Sequence, residues 1–133
     1  MRNYTLGNLG LLVFRLGISF MMFTFHGLPK VQLLLSGEEL RFADPIGIGA
    51  VPSLILAAIA EFLCSILVAF GIWTRWASLI LLITMIVAVF GFHASDPFSQ
   101  KELPTLFMFG YLMLTLTGGG RFSLGSFLGR GFQ

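Results

Sequence analysis

Charge is scarce in this sequence. Of 133 residues, eight are Lys or Arg and six are Asp or Glu, 11% in all. An ordinary soluble domain carries about 25%, so this class is excluded. The formal net charge of +2 is too small for a nucleic-acid partner, whose phosphates demand a basic face. Cysteine is nearly absent too. Cys64 stands alone, which rules out an intrachain disulfide, a CxxC redox pair and a CxxCH haem attachment. No stretch alternates apolar and polar residues with period two, which argues against a membrane β-barrel. Walker, Rossmann and Ser-His-Asp patterns are also missing, and Gly118-Gly119-Gly120 lacks the preceding strand and following lysine of a phosphate loop.

What remains is apolar. Hydrophobic residues make up 56% of the chain, with 15 phenylalanines, and the mean hydropathy is +0.92. Four apolar segments stand out, over about 8–26, 51–70, 76–93 and 103–117. About 20 apolar residues at 1.5 Å rise cross a bilayer's hydrocarbon. The expected fold is therefore all-α, an integral membrane bundle of four spans in a single domain. The N-terminal run lacks a small-residue cleavage site and reads as the first span. Short links of the kind in GIWTRW and ASDPFSQK make neighbouring spans antiparallel, giving up-down-up-down topology. The only sizeable loop runs from Gly27 to Ala50, and its middle, VQLLLSGEELRF, is a candidate interfacial helix. Arg2, Arg75, Arg121 and Arg130 fall on one side with no acid. Lys30, Arg41 and Lys101 fall on the other with five acids. The positive-inside rule then places both termini in the cytoplasm, with Trp73 and Trp76 as an aromatic belt beside Arg75.

The second segment, PSLILAAIAEFLCSILVAFG, holds Glu61 near its centre. A lone charge there costs roughly 2.5–3.5 kcal/mol on insertion scales, so a partner is required. Arg15 is the other charge deep in an apolar run. It lies roughly 10 Å from the cytoplasmic end, and Glu61 about 15 Å from the same end. An Arg15–Glu61 ion pair is the expected arrangement. Asn8, Arg15, Ser19, Met22 and His26 share one helical face, and Ala57, Ala58, Cys64 and Ser65 form a small-residue seam beside Glu61. Such a pair either fixes helix register without chemistry or handles protons beneath a site.

A second cluster is expected at the non-cytoplasmic mouth: His26 at the end of span one, Lys30 after it, His93 closing span three and Glu102 opening span four. Together they would make a polar pocket. Each residue also has a plain account. His26 and His93 are ordinary helix-end histidines, and Glu102 completes an S-x-x-E capping box from Ser99, although Pro104 sits awkwardly for that cap. Two histidines and a carboxylate suit a metal in composition, but they lack ligand spacing, and no metal is expected. Phe107 and Phe109 read most simply as lipid-facing or bundle-filling rings, with a flat ring-binding slot as the alternative.

These residues resemble a known family. Arg15-Leu16-Gly17, His26-Gly27-Leu28-Pro29-Lys30, the mid-span Glu61 and Gly71-Ile72-Trp73-Thr74-Arg75 are similar to the DoxX family of small bacterial membrane proteins. Glu102 and the closing Gly118-x-Gly120-Arg121-Phe122-Ser123-Leu124 match as well, while Gly125 stands where the family usually has Asp. The resemblance implies four spans in the bacterial inner membrane and kinship with subunits of thiosulfate:quinone oxidoreductase. It marks Arg15, His26, Lys30, Glu61 and Glu102 as the functional set, to which the geometry above adds His93. The function expected is that of a membrane subunit in a quinone-linked redox system, either non-catalytic or co-catalytic. A quinone is the ligand that system implies and a redox enzyme the protein partner. No cofactor site is strong enough to assign. A small proton-coupled transporter and a structural anchor or assembly factor are the alternatives.

Overall fold

A computed structural model describes residues 2–129; Arg130 and the side chain of Arg2, counted above in the charge balance, lie outside what is described. Every element among the described residues is helical. Three helical runs are long and apolar enough to cross a membrane: Tyr4–Leu35, Ala50–Phe70 and Thr74–Phe92. Phe14, Phe20, Phe90 and Leu106 stand exposed along them or beside them, a surface suited to lipid rather than water.

Each of the three runs contains a π-helical segment, which interrupts the first two and ends the third. The first consists of α1 (Arg2–Met22), π1 (Phe23–Gly27) and α2 (Leu28–Leu35). It continues nine residues past the expected end at His26, so the loop is shorter than expected and the candidate interfacial helix over residues 31–42 does not form as a separate element. Pro29 explains the widened turn. A proline has no N–H to donate and its ring crowds the carbonyl one turn back. The chain answers by shifting register, with the Leu28 amide donating to the Phe23 carbonyl five residues earlier. The second run is α3 (Ala50–Ala58), π2 (Ile59–Cys64) and α4 (Ser65–Phe70), and the third is α5 (Thr74–Val87) and π3 (Ala88–Phe92). After them come α6 (Phe98–Thr117), which holds Pro104 inside it, and the short α7 (Leu124–Leu128). α6 has the length of a span but opens with Lys101 and Glu102 in its first turns, starting five residues before the apolar segment read from sequence.

Packing centres on Met22, Cys64, Val68, Leu81, Phe107, Tyr111 and Leu114, all buried in one cluster. Helices approach closely where side chains are smallest. A Cβ on Gly27 would lie 2.6 Å from the backbone carbonyl of Glu61, so π1 and π2 meet backbone to backbone. That contact lets the first two runs place polar groups within reach of each other.

The second run begins with a cap reached from the loop. The Asp44 carboxylate accepts hydrogen bonds from the Ile48 amide at 2.9 Å, the Gly49 amide at 2.8 Å and the Ser53 hydroxyl at 2.8 Å. These bonds, led by the one from Gly49, hold the Asp44 carboxyl below its ordinary value, because each donor favours the ionised form. A group with a depressed folded-state pKa stabilises above its unfolded pKa and loses that contribution as pH falls through the folded value. Asp44→Ala is therefore expected to lower the melting temperature of detergent-purified protein at pH 7. The difference from wild type should shrink as pH falls below 3.8, and a difference independent of pH would refute the capping role.

Candidate functional site

Glu61 sits within π2, 5% exposed, and its partner is Lys30. The Lys30 Nζ lies 2.5 Å from the Glu61 Oε2. Lys30 belongs to α2, one helical turn beyond His26, and its ammonium also donates to the His26 backbone carbonyl at 3.4 Å. The widening at π2 exposes carbonyls that an α-helix would consume. The Ser65 hydroxyl lies within hydrogen-bonding distance of two of them, 2.7 Å from the Glu61 carbonyl and 2.8 Å from that of Phe62. π-helical turns of this sort gather at functional positions because they re-aim side chains at a small cost in hydrogen bonding.

Aromatic rings pack on the same π-helical turns. The His26 imidazole packs edge-on against Phe107 with centroids 5.6 Å apart, and Phe107 stacks on Tyr111 at 6.1 Å. Phe23 of π1 and Phe62 of π2 lie 4.8 Å apart. The Tyr111 hydroxyl is fully buried and has no hydrogen-bond partner among the described residues, and the same holds for the hydroxyls of Ser19, Thr74 and Ser78. A buried polar group without a partner costs roughly 1–3 kcal/mol, so such groups mark places where another molecule has something to bond. The site thus offers a carboxylate, an ammonium, an imidazole and a phenol around aromatic walls.

Arg15 is elsewhere, and the expected Arg15–Glu61 pair does not form. Arg15 is 2% exposed, and its guanidinium is satisfied by main-chain carbonyls. Its Nε donates to Ala69 at 3.3 Å, its Nη2 to Phe122 at 2.8 Å and its Nη1 to Gly119. Ala69 belongs to the last turn of α4, where the helix dipole is negative and unpaired carbonyls collect. Gly119 and Phe122 belong to the loop that follows α6. Arginine is suited to this because its planar fork has five donors and gives up less hydration than an ammonium. Glycine makes the approach possible: a Cβ on Gly71 would fall 2.8 Å from Arg15 Nη1 and 2.4 Å from Ser123 Cβ. The Gly125 amide completes the clasp by donating to the Gly71 carbonyl at 3.0 Å. Two sequence patterns far apart in the chain, Gly71–Arg75 and Gly118–Leu124, therefore converge on one arginine.

The four-residue pocket expected at the mouth is only half assembled. His26 and Lys30 come together, with Glu61 added to them. His93 instead turns to its own connection, where its Nδ1 lies 2.7 Å from Asp96 Oδ2. Glu102 is exposed on α6, and no cation lies within 4 Å of it among the described residues. Nor, among those residues, do three His, Cys, Asp or Glu side chains gather as metal ligands. Sequence reasoning missed Lys30 as the partner of Glu61 because it ended the first helix at His26. The usable signal was the four-residue spacing of His26 and Lys30, which places both on one helical face if the helix continues through Pro29.

With this geometry in view, comparison with known proteins is informative. The chain is 31% identical over 126 residues to a Bacillus subtilis (strain 168) protein named "Putative oxidoreductase CatD", a match covering 92% of this chain and 90% of that protein. No solved structure matches it. A family model described as DoxX matches residues 10–94, well over half of the sequence, and the chain belongs to the DoxX family.

Proposed function

We propose that this protein is a four-span membrane subunit of a quinone-linked redox system, and that His26, Lys30 and Glu61 hold the polar head of the quinone. The observation that carries the reading is the Lys30–Glu61 pair, set where two π-helical turns meet, with the Phe23 and Phe62 rings of those turns in contact and the His26 ring packed on Phe107. Quinone heads are flat, apolar rings with a carbonyl at each end. They need an aromatic slot and a hydrogen-bond donor at each oxygen. Lys30 and the unpartnered Tyr111 hydroxyl supply donors, and the His26 ring stands against the same aromatic wall. A bound quinone would supply two-electron chemistry, with the electrons coming from a partner enzyme, while this chain would position the ring and hold protons near its oxygens. The relative named as an oxidoreductase supports a redox setting.

In the same reading α6 is the fourth span, the order is up-down-up-down, and both termini face the cytoplasm of the bacterial inner membrane. Arg75 and Arg121 lie at the end that would face the cytoplasm, and every acid outside the spans lies in the connections at the other end. Transport driven by protonation of Glu61 fits less well, because an ammonium at 2.5 Å occupies the carboxylate and ties it to the first helical run.

Calorimetric titration of the purified protein in nanodiscs with a short-chain quinone tests this. Binding should weaken about tenfold in His26→Leu, as expected for one lost polar contact. Arg41→Gln, in the exposed loop, should leave it unchanged. No heat of binding with the wild-type protein would dispose of the quinone reading.

A further inference from the structure

At the end of the fold where Arg15 is clasped lies a second feature that the redox reading leaves unused. A hollow of about 500 Å³ is lined by Arg75, Arg121, the Gly118–Gly120 loop and Ser123. Neither arginine has a carboxylate within 4 Å among the described residues. The chain has six acids. Glu61 is taken by Lys30, and the other five, Glu38, Glu39, Asp44, Asp96 and Glu102, lie in the two connections at the far end or at the start of α6. Two guanidinium groups thus face one hollow with no acid at their end to neutralise them.

The loop between them is shaped for close approach. Gly118 and Gly120 have φ values of 74° and 72°, and the amides of Gly119 and Gly120 donate to nothing among the described residues. Successive free amides in such a turn form a concave nest for an anion. Thr74 lies against this loop: its Oγ1 would be 2.7 Å from a Cβ on Gly119, and it is fully buried without a partner. Trp73 and Trp76, exposed on either side of Arg75, set the depth. Tryptophan collects at the level of lipid headgroups. A neighbouring hollow of about 320 Å³ shares Arg121 and is walled by Phe122 and Phe127, an apolar surface next to a charged one.

We propose that this end of the protein binds the phosphate of an anionic phospholipid headgroup, with Arg75 and Arg121 gripping the phosphate oxygens, the glycine loop cradling them, and Phe122 and Phe127 receiving the start of an acyl chain. Arginine forks suit phosphate because they bind two oxygens at once. Free phosphate shares the chemistry but has nothing to place against the phenylalanines.

The test follows thermal unfolding of the protein in neutral detergent during separate titrations with phosphatidylglycerol, phosphatidylcholine and inorganic phosphate. Phosphatidylglycerol should raise the melting temperature, and phosphatidylcholine and inorganic phosphate should not. Apparent affinity for phosphatidylglycerol should fall about tenfold in Arg75→Gln/Arg121→Gln. It should hold in Arg41→Gln, which removes one positive charge at the other end. Should the double variant fail to fold, Arg121→Gln alone, an exposed side chain, carries the same test with a smaller loss. Stabilisation by inorganic phosphate equal to that by phosphatidylglycerol would overturn the lipid assignment. Undiminished phosphatidylglycerol binding in the arginine variants, or no effect of it on the wild type, would overturn the site itself.

Discussion

Arg15→Ala should be the most damaging single substitution in the first helix, costing about 4 kcal/mol or more of stability. A hydrogen bond to a charged group contributes roughly 1.5–3 kcal/mol, and removing the charged partner leaves acceptors unsatisfied. Arg15 makes three such bonds, to Ala69, Gly119 and Phe122, of which the one to Gly119 is fully buried and the other two partly so. The loss would also be topological. Arg15 ties the first helical run to the end of the second and to the loop after α6, so its removal should release residues 118–122 as a unit. Thermal unfolding in detergent measures the first effect, and limited proteolysis at that loop measures the second. Arg15→Lys should recover only part of the stability, because one ammonium cannot span carbonyls that the guanidinium reaches from three nitrogens. Full recovery with lysine would mean that charge alone matters and that the clasp geometry does not.

Much of the helical fold was legible before any coordinates, because apolar length and the shortage of charge decide it. The polar face of the first helix was legible for the same reason: Arg15, Ser19 and Met22 recur at helical spacing, and all three are buried. The pairing of charges was not. Opposite charges at similar depth made Arg15 and Glu61 look like partners. Yet depth counted along each helix carries no information on rotation about its axis, and carbonyls are invisible in a hydropathy pattern. Helix ends and glycine loops supply acceptors without any charged residue to announce them. The π-helical turns were equally hidden. Pro29 can end a helix, but the chain keeps the helix through it with a shifted hydrogen-bond register, so Lys30 stays one turn beyond His26. Glu102 illustrates the opposite error. It lies in the opening turns of α6, but nothing in the sequence says which way those turns face, and Glu102 faces outward.

The Lys30–Glu61 pair makes the second large prediction, and it separates the observed wiring from the one that sequence favoured. Removing one partner of a buried ion pair costs about 3–5 kcal/mol, since the other charge is left uncompensated. The two removals should not cost the same. The Glu61 side chain is 7% exposed and anchored on a rigid turn, whereas Lys30 is 20% exposed on a long flexible stem that can swing its ammonium toward the headgroups. Lys30→Met, which strands the carboxylate, should therefore destabilise more than Glu61→Gln, which strands an ammonium free to leave. Combining Lys30→Met with Glu61→Gln should recover much of the loss, giving a coupling of about 2 kcal/mol or more, within the range for residues in direct contact. The parallel cycle of Arg15→Ala and Glu61→Gln should be additive to within about 0.5 kcal/mol, because the two side chains share no partner. Strong coupling in that second cycle and none in the first would reverse the assignment and restore the arginine as counter-ion. It would also remove the cluster from the head of any bound quinone, since Lys30 would then have no reason to be held at the junction of the two π-helical turns.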